Sequence, residues 1–194
     1  MRDASTLLWR DLPGADLPPD MSPAAQAVQR LATTGFYDLP ARVDGTALHL
    51  LIYAATPPVF DGPEDRNGRR NADETRFWLD LLRGDLAMPP PPAPFVLIGQ
   101  PNLDPARGDG DRSALRALLA SPLLQDPDPR DGAGRDATWT SASGWGLRLD
   151  MILPSTGLKV IGAGVLSPAP DDPLATDLSA ASDHRPVWVT IDLP

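Results

Sequence analysis

Two short apolar runs constrain this chain more than any other feature. In residues 47–55, Leu48, Leu50, Leu51, Ile52 and Tyr53 follow one another almost without interruption until Thr56-Pro57-Pro58 stops them. In residues 95–98, Phe95-Val96-Leu97-Ile98 emerges from the stiff polyproline stretch of residues 88–94 and ends at Gly99. Runs of this kind read as strands buried on both faces. Such strands need covering layers, so the class is α/β or α+β with a layered sheet.

Helical signals lie between and around the strands. Ser22 and Pro23 start a helix predicted over residues 23–33, ended by Gly35, with Val28 and Leu31 facing inward. A second helix is predicted over residues 72–83, where Phe77, Trp78, Leu81 and Leu82 form a stripe and Asn71 with Glu74 has the spacing of a capping box. Asp111 caps a third, carrying Leu115, Leu118 and Leu119 up to Pro122. Further strands are predicted at residues 147–153, 158–166 and 186–193. The 194 residues suit one domain, divided into a loop-rich stretch with one helix over residues 1–46 and a sheet with helices over 47–194.

Composition narrows the function classes. The net charge is −9, from 17 basic and 26 acidic residues, so non-specific grip on a polyanion is disfavoured; nucleic acid as a partner stays open because charge can be local. With no Cys, disulfides, thiolate metal sites and cysteine nucleophiles are excluded, and the compartment cannot be read from redox chemistry. No apolar run approaches the roughly 18 residues of a membrane span, so no membrane partner is expected, and Met1-Arg2-Asp3 does not open an export signal.

Three stretches carry polar residues out of apolar runs: Gly99-Gln100-Pro101-Asn102, Arg148-Leu149-Asp150, and Ser182-Asp183-His184. Each alone is a weak signal, and in the last Asp183 reads most simply as capping or solvating a strand start and His184 as a satisfied surface imidazole. Ser182, His184 and Asp150 do not make a serine hydrolase, because Ser182 and His184 are two apart and no Gly-x-Ser-x-Gly elbow exists. Asp104, Asp109 and Asp111 lack EF-hand spacing and read as caps or solvated turns. His49 reads as a core or interlayer residue. The tryptophans, Trp78, Trp139, Trp145 and Trp188 among them, lack the basic stripe of a base-stacking platform.

In this order, the three stretches resemble the second half of the endonuclease/exonuclease/phosphatase superfamily, metal-dependent phosphoesterases. The segment from Thr56 to Asn71, followed by Phe77-Trp78, is similar to a loop and helix of a bacterial branch, and the resemblance runs from about residue 7 to the C-terminus. It implies a partial four-layer α/β sandwich of the deoxyribonuclease-like type. It also implies Asn102 holding phosphate, His184 hydrogen-bonding the scissile phosphate, Asp150 orienting the His184 ring, and Asp183 helping to bind Mg2+, Mn2+ or Ca2+. An imidazole aimed at phosphate works best when a carboxylate fixes its other nitrogen.

The same resemblance marks departures. The family's Gly-Asp-x-Asn has Gln100 in place of the Asp, and a neutral amide neither takes a proton nor carries the charge that orients hydroxide. Tyr53-Ala54 stands where the family has Ser-His, so Ala54 lacks the imidazole, and Asn71-Ala72-Asp73-Glu74 stands for Asn-His-Asp-Glu. The family's leading strand with Asn and then Gln-Glu has no counterpart, since Glu64 and Glu74 are the only glutamates. The chain therefore reads as an N-terminally truncated member with its first sheet largely missing. It is expected to bind metal weakly and to be an impaired or inactive phosphoesterase, with a phosphoester as substrate if active. The alternative is a non-catalytic interaction module or half-domain that pairs with another chain. An uncovered sheet would also favour self-association.

Overall fold

The computed structural model describes residues 1–141, 143–169 and 171–193. In chain order the strands and helices are Arg2–Asp3 (β1), Pro23–Gln26 (α1), Phe36–Val43 (β2), Thr46–Ala54 (β3), Arg66–Arg83 (α2), Phe95–Gln100 (β4) and Ser113–Leu119 (α3). They continue as Trp139–Thr140 (β5), Gly146–Leu147 (β6), Met151–Pro154 (β7), Lys159–Val165 (β8), Pro173–Ala181 (α4) and Val187–Asp192 (β9). No helix among the described residues is long and apolar enough to cross a membrane.

Five strands form the main sheet in the order β1-β2-β3-β4-β7. β2 and β3 are a hairpin closed by Asp44 (φ 49°) and Gly45 (φ 86°), the paired positive φ values of a tight two-residue turn. β3 and β4 run parallel, with α2 in the crossover between them, which brings their carboxyl ends side by side: Ala54 is level with Gln100. β7 then pairs antiparallel with β4.

Alternation along these strands sorts the side chains onto two faces. Phe36, Leu51, Tyr53, Leu97, Met151 and Leu153 point to the side of α2 and α3, where Phe77, Trp78, Leu81, Leu115 and Leu118 complete the core. Phe36 stacks on Phe77 with ring centroids 4.5 Å apart, and Trp78 meets Phe36 and Tyr53 at 5.6 and 5.4 Å. Burying each such ring stabilises the fold by about 1.5–3 kcal/mol. The opposite face carries Leu48, Leu50, Val96, Ile98 and Ile152, and the antiparallel β8–β9 pair packs on part of it through Leu158, Ile191 and Leu193. Among the described residues the second β layer thus has two strands against the five of the first.

Several expectations are corrected. Residues 1–46 are not only loops with one helix, because β2 and β1 build an edge of the main sheet. The first helix spans Pro23–Gln26 rather than 23–33. Residues 29–31 instead pair with the N-terminal segment through Trp9 N–H to Gln29 C=O and Leu31 N–H to Leu7 C=O; Leu31 is buried as expected but Val28 is 73% exposed. The second helix begins at Arg66, six residues early, so Asn71 and Glu74 lie inside it and cap nothing. The strand expected at residues 147–153 is broken over 148–150, where Thr138 Oγ accepts the N–H groups of Leu149 and Asp150. The helix α4 lies outside the expected elements, although Asp172 caps it and Pro173 takes its first turn, the same pair of signals as Ser22 and Pro23.

Candidate functional site

The site lies at the carboxyl ends of β3 and β4, where an open sheet presents polar groups beyond its apolar core. Ala54 ends β3 and Gln100 ends β4; Asn102 follows in a left-handed conformation, φ 52°, and its amide donates to the Ala55 carbonyl at 2.7 Å. The third contributor comes from far along the chain. An isolated bridge joins Trp139 to His184, and Arg185 N–H donates to the Thr138 carbonyl, which draws residues 183–185 against the segment before β5.

These placements join in one hydrogen-bonded series. Thr138 Oγ donates to Asp150 Oδ2 at 2.7 Å, and the same oxygen accepts from His184 Nδ1 at 2.7 Å. The other ring nitrogen, Nε2, lies 3.3 Å from the Gln100 amide nitrogen, which also donates to Asn102 Oδ1 at 3.3 Å. Gln100 and His184, 84 positions apart in sequence, are thus neighbours. Asp183 sits beside this series, and its Oδ2 accepts the Trp139 indole N–H at 2.7 Å. That bond holds the Asp183 carboxyl below its ordinary range.

The structure therefore brings together Asn102, Asp150, His184 and Gln100 by direct contact, places Asp183 next to His184, and sets Ala54 level with Gln100. Two hollows flank them. One, of about 390 Å³, runs along the uncovered sheet face past Tyr37, Ile52, Ile98 and Gln100 to Arg185. The other, of about 330 Å³, is walled by Phe60, Trp139, Trp145 and Leu147 and reaches Asn102, Asp183 and His184.

Positioning groups that sequence reasoning missed hold the loops under the site. Glu74 is fully buried, and its two carboxylate oxygens accept Thr33 N–H and Thr56 N–H, each at 2.6 Å. Asn71 donates to the carbonyls of Thr56 and Pro101, each at 2.7 Å. Together they tie the loops after β3 and β4 to α2. Their three-residue separation is the signal that was available, because it sets both on one face of a helix as well as fitting a cap. Burial raises the Glu74 carboxyl above its ordinary value, against the opposing bonds from Thr56 and Thr33. Asp104 does the same service on the other wall. Burial pushes its carboxyl upward, yet the N–H groups of Arg148, Ala106 and Arg107 outweigh that and hold it low. Thr138 had no signal at all in the sequence.

The donor set does not suit a divalent ion. No group of three His, Asp or Glu side chains among the described residues could hold one. Asp150 is turned to His184 and Thr138, one Asp183 oxygen is taken by Trp139, and Gln100 is neutral. Mg2+ prefers an octahedron of oxygens anchored by one or two carboxylates, which this arrangement does not offer.

Comparisons agree with the architecture. A family model described as the Endonuclease/Exonuclease/phosphatase family matches residues 12–184. Beta toxin 275-280 from Staphylococcus aureus superposes with a TM-score of 0.55 at 14% identity, over 80% of this chain and 56% of that one. An endonuclease/exonuclease/phosphatase family protein from Bacteroides thetaiotaomicron gives 0.53 at 17%, over 82% and 55%. The beta toxin F277A, P278A mutant from Staphylococcus aureus, a structure with bound magnesium ions, gives 0.50 at 13%, over 81% and 53%. The chain spans a little over half the length of these structures. No curated protein matches it.

Proposed function

The chain belongs to the endonuclease/exonuclease/phosphatase family, and from that membership we propose that it presents a phosphoester-facing site whose hydrolytic chemistry is impaired. The observation that carries this reading is the neutral Gln100 amide at the centre of the Asp150–His184–Gln100–Asn102 series. Asp150 fixes the His184 ring through Nδ1, so Nε2 is the nitrogen that faces a phosphoryl oxygen or its leaving group, and Asn102 supplies a second amide alongside. Gln100 cannot accept the proton of an attacking water, and Ala54 adds no imidazole. Loss of a general base or of a transition-state donor each lowers a rate by about 10²–10⁴. Binding and orientation of a phosphoester then outlast turnover. Mg2+, Mn2+ and Ca2+ are held weakly at Asp183, because one exposed carboxylate already engaged by an indole is a poor anchor.

The test is hydrolysis of bis-p-nitrophenyl phosphate with Mg2+ by the purified chain. The expected result is a background rate that His184→Ala leaves unchanged. Turnover that His184→Ala abolishes would overturn the reading, and a calorimetric Mg2+ titration showing tight binding would overturn its metal component. A second reading, a half-domain that pairs with a second copy of this chain, is favoured by the apolar, uncharged stretch of Tyr37, Ile52 and Ile98 beside the two-stranded layer. Sheets bearing such faces pack in pairs.

A further inference from the structure

The second hollow differs in chemistry from the phosphate-facing groups it adjoins. Its walls are aromatic: Trp139 and Trp145 stand at 87° with ring centroids 6.3 Å apart, and Phe60 lies at the mouth. Phe60 is 92% exposed and its backbone is left-handed, φ 69°, a conformation that bulky residues seldom adopt. Trp145 is half exposed. The polar groups of the hollow are mainly acidic. Asp183 and Asp109 line it, and the cation on its wall, Arg107, is already paired with Asp104 at 3.0 Å and Asp136 at 2.7 Å.

Aromatic faces attract cations through their quadrupole, and perpendicular rings offer such faces on two sides of a ligand. The Asp183 carboxylate accepts the Trp139 N–H at the ring edge, which pushes electron density toward the ring face. The Asp183 and Asp109 carboxylates add attraction of the same sign, although Arg185, which does not line the hollow, offsets part of the Asp183 charge, in a chain whose net charge is −9. A hollow of about 330 Å³ is at the lower end of small-ligand sites. At the aromatic wall a bare anion meets no free cation, a neutral apolar group gains contact but no electrostatic attraction, and a soft, weakly hydrated cation gains both.

We propose that the hollow bounded by Trp139, Trp145 and Phe60 is a binding site for a compact organic cation of the quaternary or alkylated ammonium class. This site goes beyond the phosphoester reading and requires no turnover. Its geometry also explains why the aromatics here are not part of a nucleic-acid platform: the charges beside them have the wrong sign.

The experiment is a titration of the full chain with tetramethylammonium chloride, followed by the indole N–H resonances at constant ionic strength, against tert-butanol as the neutral counterpart. Saturable shifts at Trp139 and Trp145 are expected, with tert-butanol about tenfold weaker. Trp145→Ala removes an exposed wall, and Asp183→Asn removes charge while its amide oxygen can still accept from Trp139. Each should weaken the cation about tenfold, whereas Trp188→Ala on β9, which does not line the hollow, should not. Equal affinity for tert-butanol, unchanged affinity in Trp145→Ala, or displacement of tetramethylammonium by lower concentrations of Mg2+ would overturn the proposal. Hydrolysis found in the phosphodiester assay would leave it standing, and failure to bind the cation would leave the phosphoester reading standing.

Discussion

The two faces of the five-stranded sheet are built from alternate residues of the same strands, yet they end in different states. Phe36 and Tyr37 are adjacent in β2. Phe36 is 1% exposed and locked between Phe77, Trp78 and Tyr53, while Tyr37 looks into an open hollow on the other side. Hydrophobicity alone does not distinguish them. What differs is the supply of a covering layer: α2 and α3 close the first face, and the two strands β8 and β9 close only part of the second. An apolar face is made by a strand's own sequence, but its burial depends on what the rest of the chain can bring to it.

That contrast can be broken most sharply at Phe36. Phe36→Ala should cost about 3–5 kcal/mol in urea unfolding, because its neighbours on α2 cannot collapse into the space. A loss under about 1 kcal/mol would mean that the helix-covered face is not the core.

Glu74 sharpens the same side of the comparison, since it anchors the loops above the closed face. Burial raises its carboxyl above the ordinary glutamate value. The folded chain therefore keeps a proton that the unfolded chain has already released. Stability from protonated Glu74 is present below the ordinary value and is lost as pH rises through the raised one. In Glu74→Gln the charge is absent at every pH. The stability of the wild type relative to this variant, read from thermal melts, should shrink as pH rises above about 4. A difference that grows with pH would show that the two backbone N–H groups, not burial, govern the carboxylate.

The smallest effect is expected on the open face. Tyr37→Ala should change unfolding stability by about 1 kcal/mol or less while reducing any concentration-dependent association in light scattering. A monodisperse monomer in the wild type would remove the paired half-domain reading. A loss from Tyr37→Ala as large as that from Phe36→Ala would erase the difference between the faces.

Much of the site was legible in advance. Asn102, Asp150, Asp183, His184, Gln100 and Ala54 could be named from short stretches of sequence, and the neutral amide at Gln100 is read directly from it. The helix starting at Arg66 shows where such reading stops. Asn71, Asp73 and Glu74 look like solvated polar residues or caps, but they are buried and partnered by backbone groups 15 to 57 positions away, with the Trp9 indole, 64 positions away, also donating to Asp73. Local patterning carries no information about partners that distant. The strand β2 was missed for a related reason: its outer half, through Pro40 and Arg42, is polar or kinked by itself and is held by pairing with β3.

The sequence by itself determined which strands are apolar, which chemical groups stand at their ends, and that position 100 carries a neutral amide. Tertiary structure alone decided that Asp150, His184 and Gln100 touch, that Thr138 and Trp139 hold the two aspartates, and that one sheet face stays partly open. Side-chain chemistry belongs to each residue separately, whereas convergence depends on strand register, a crossover helix and a returning segment closing together, which are properties of the whole chain at once.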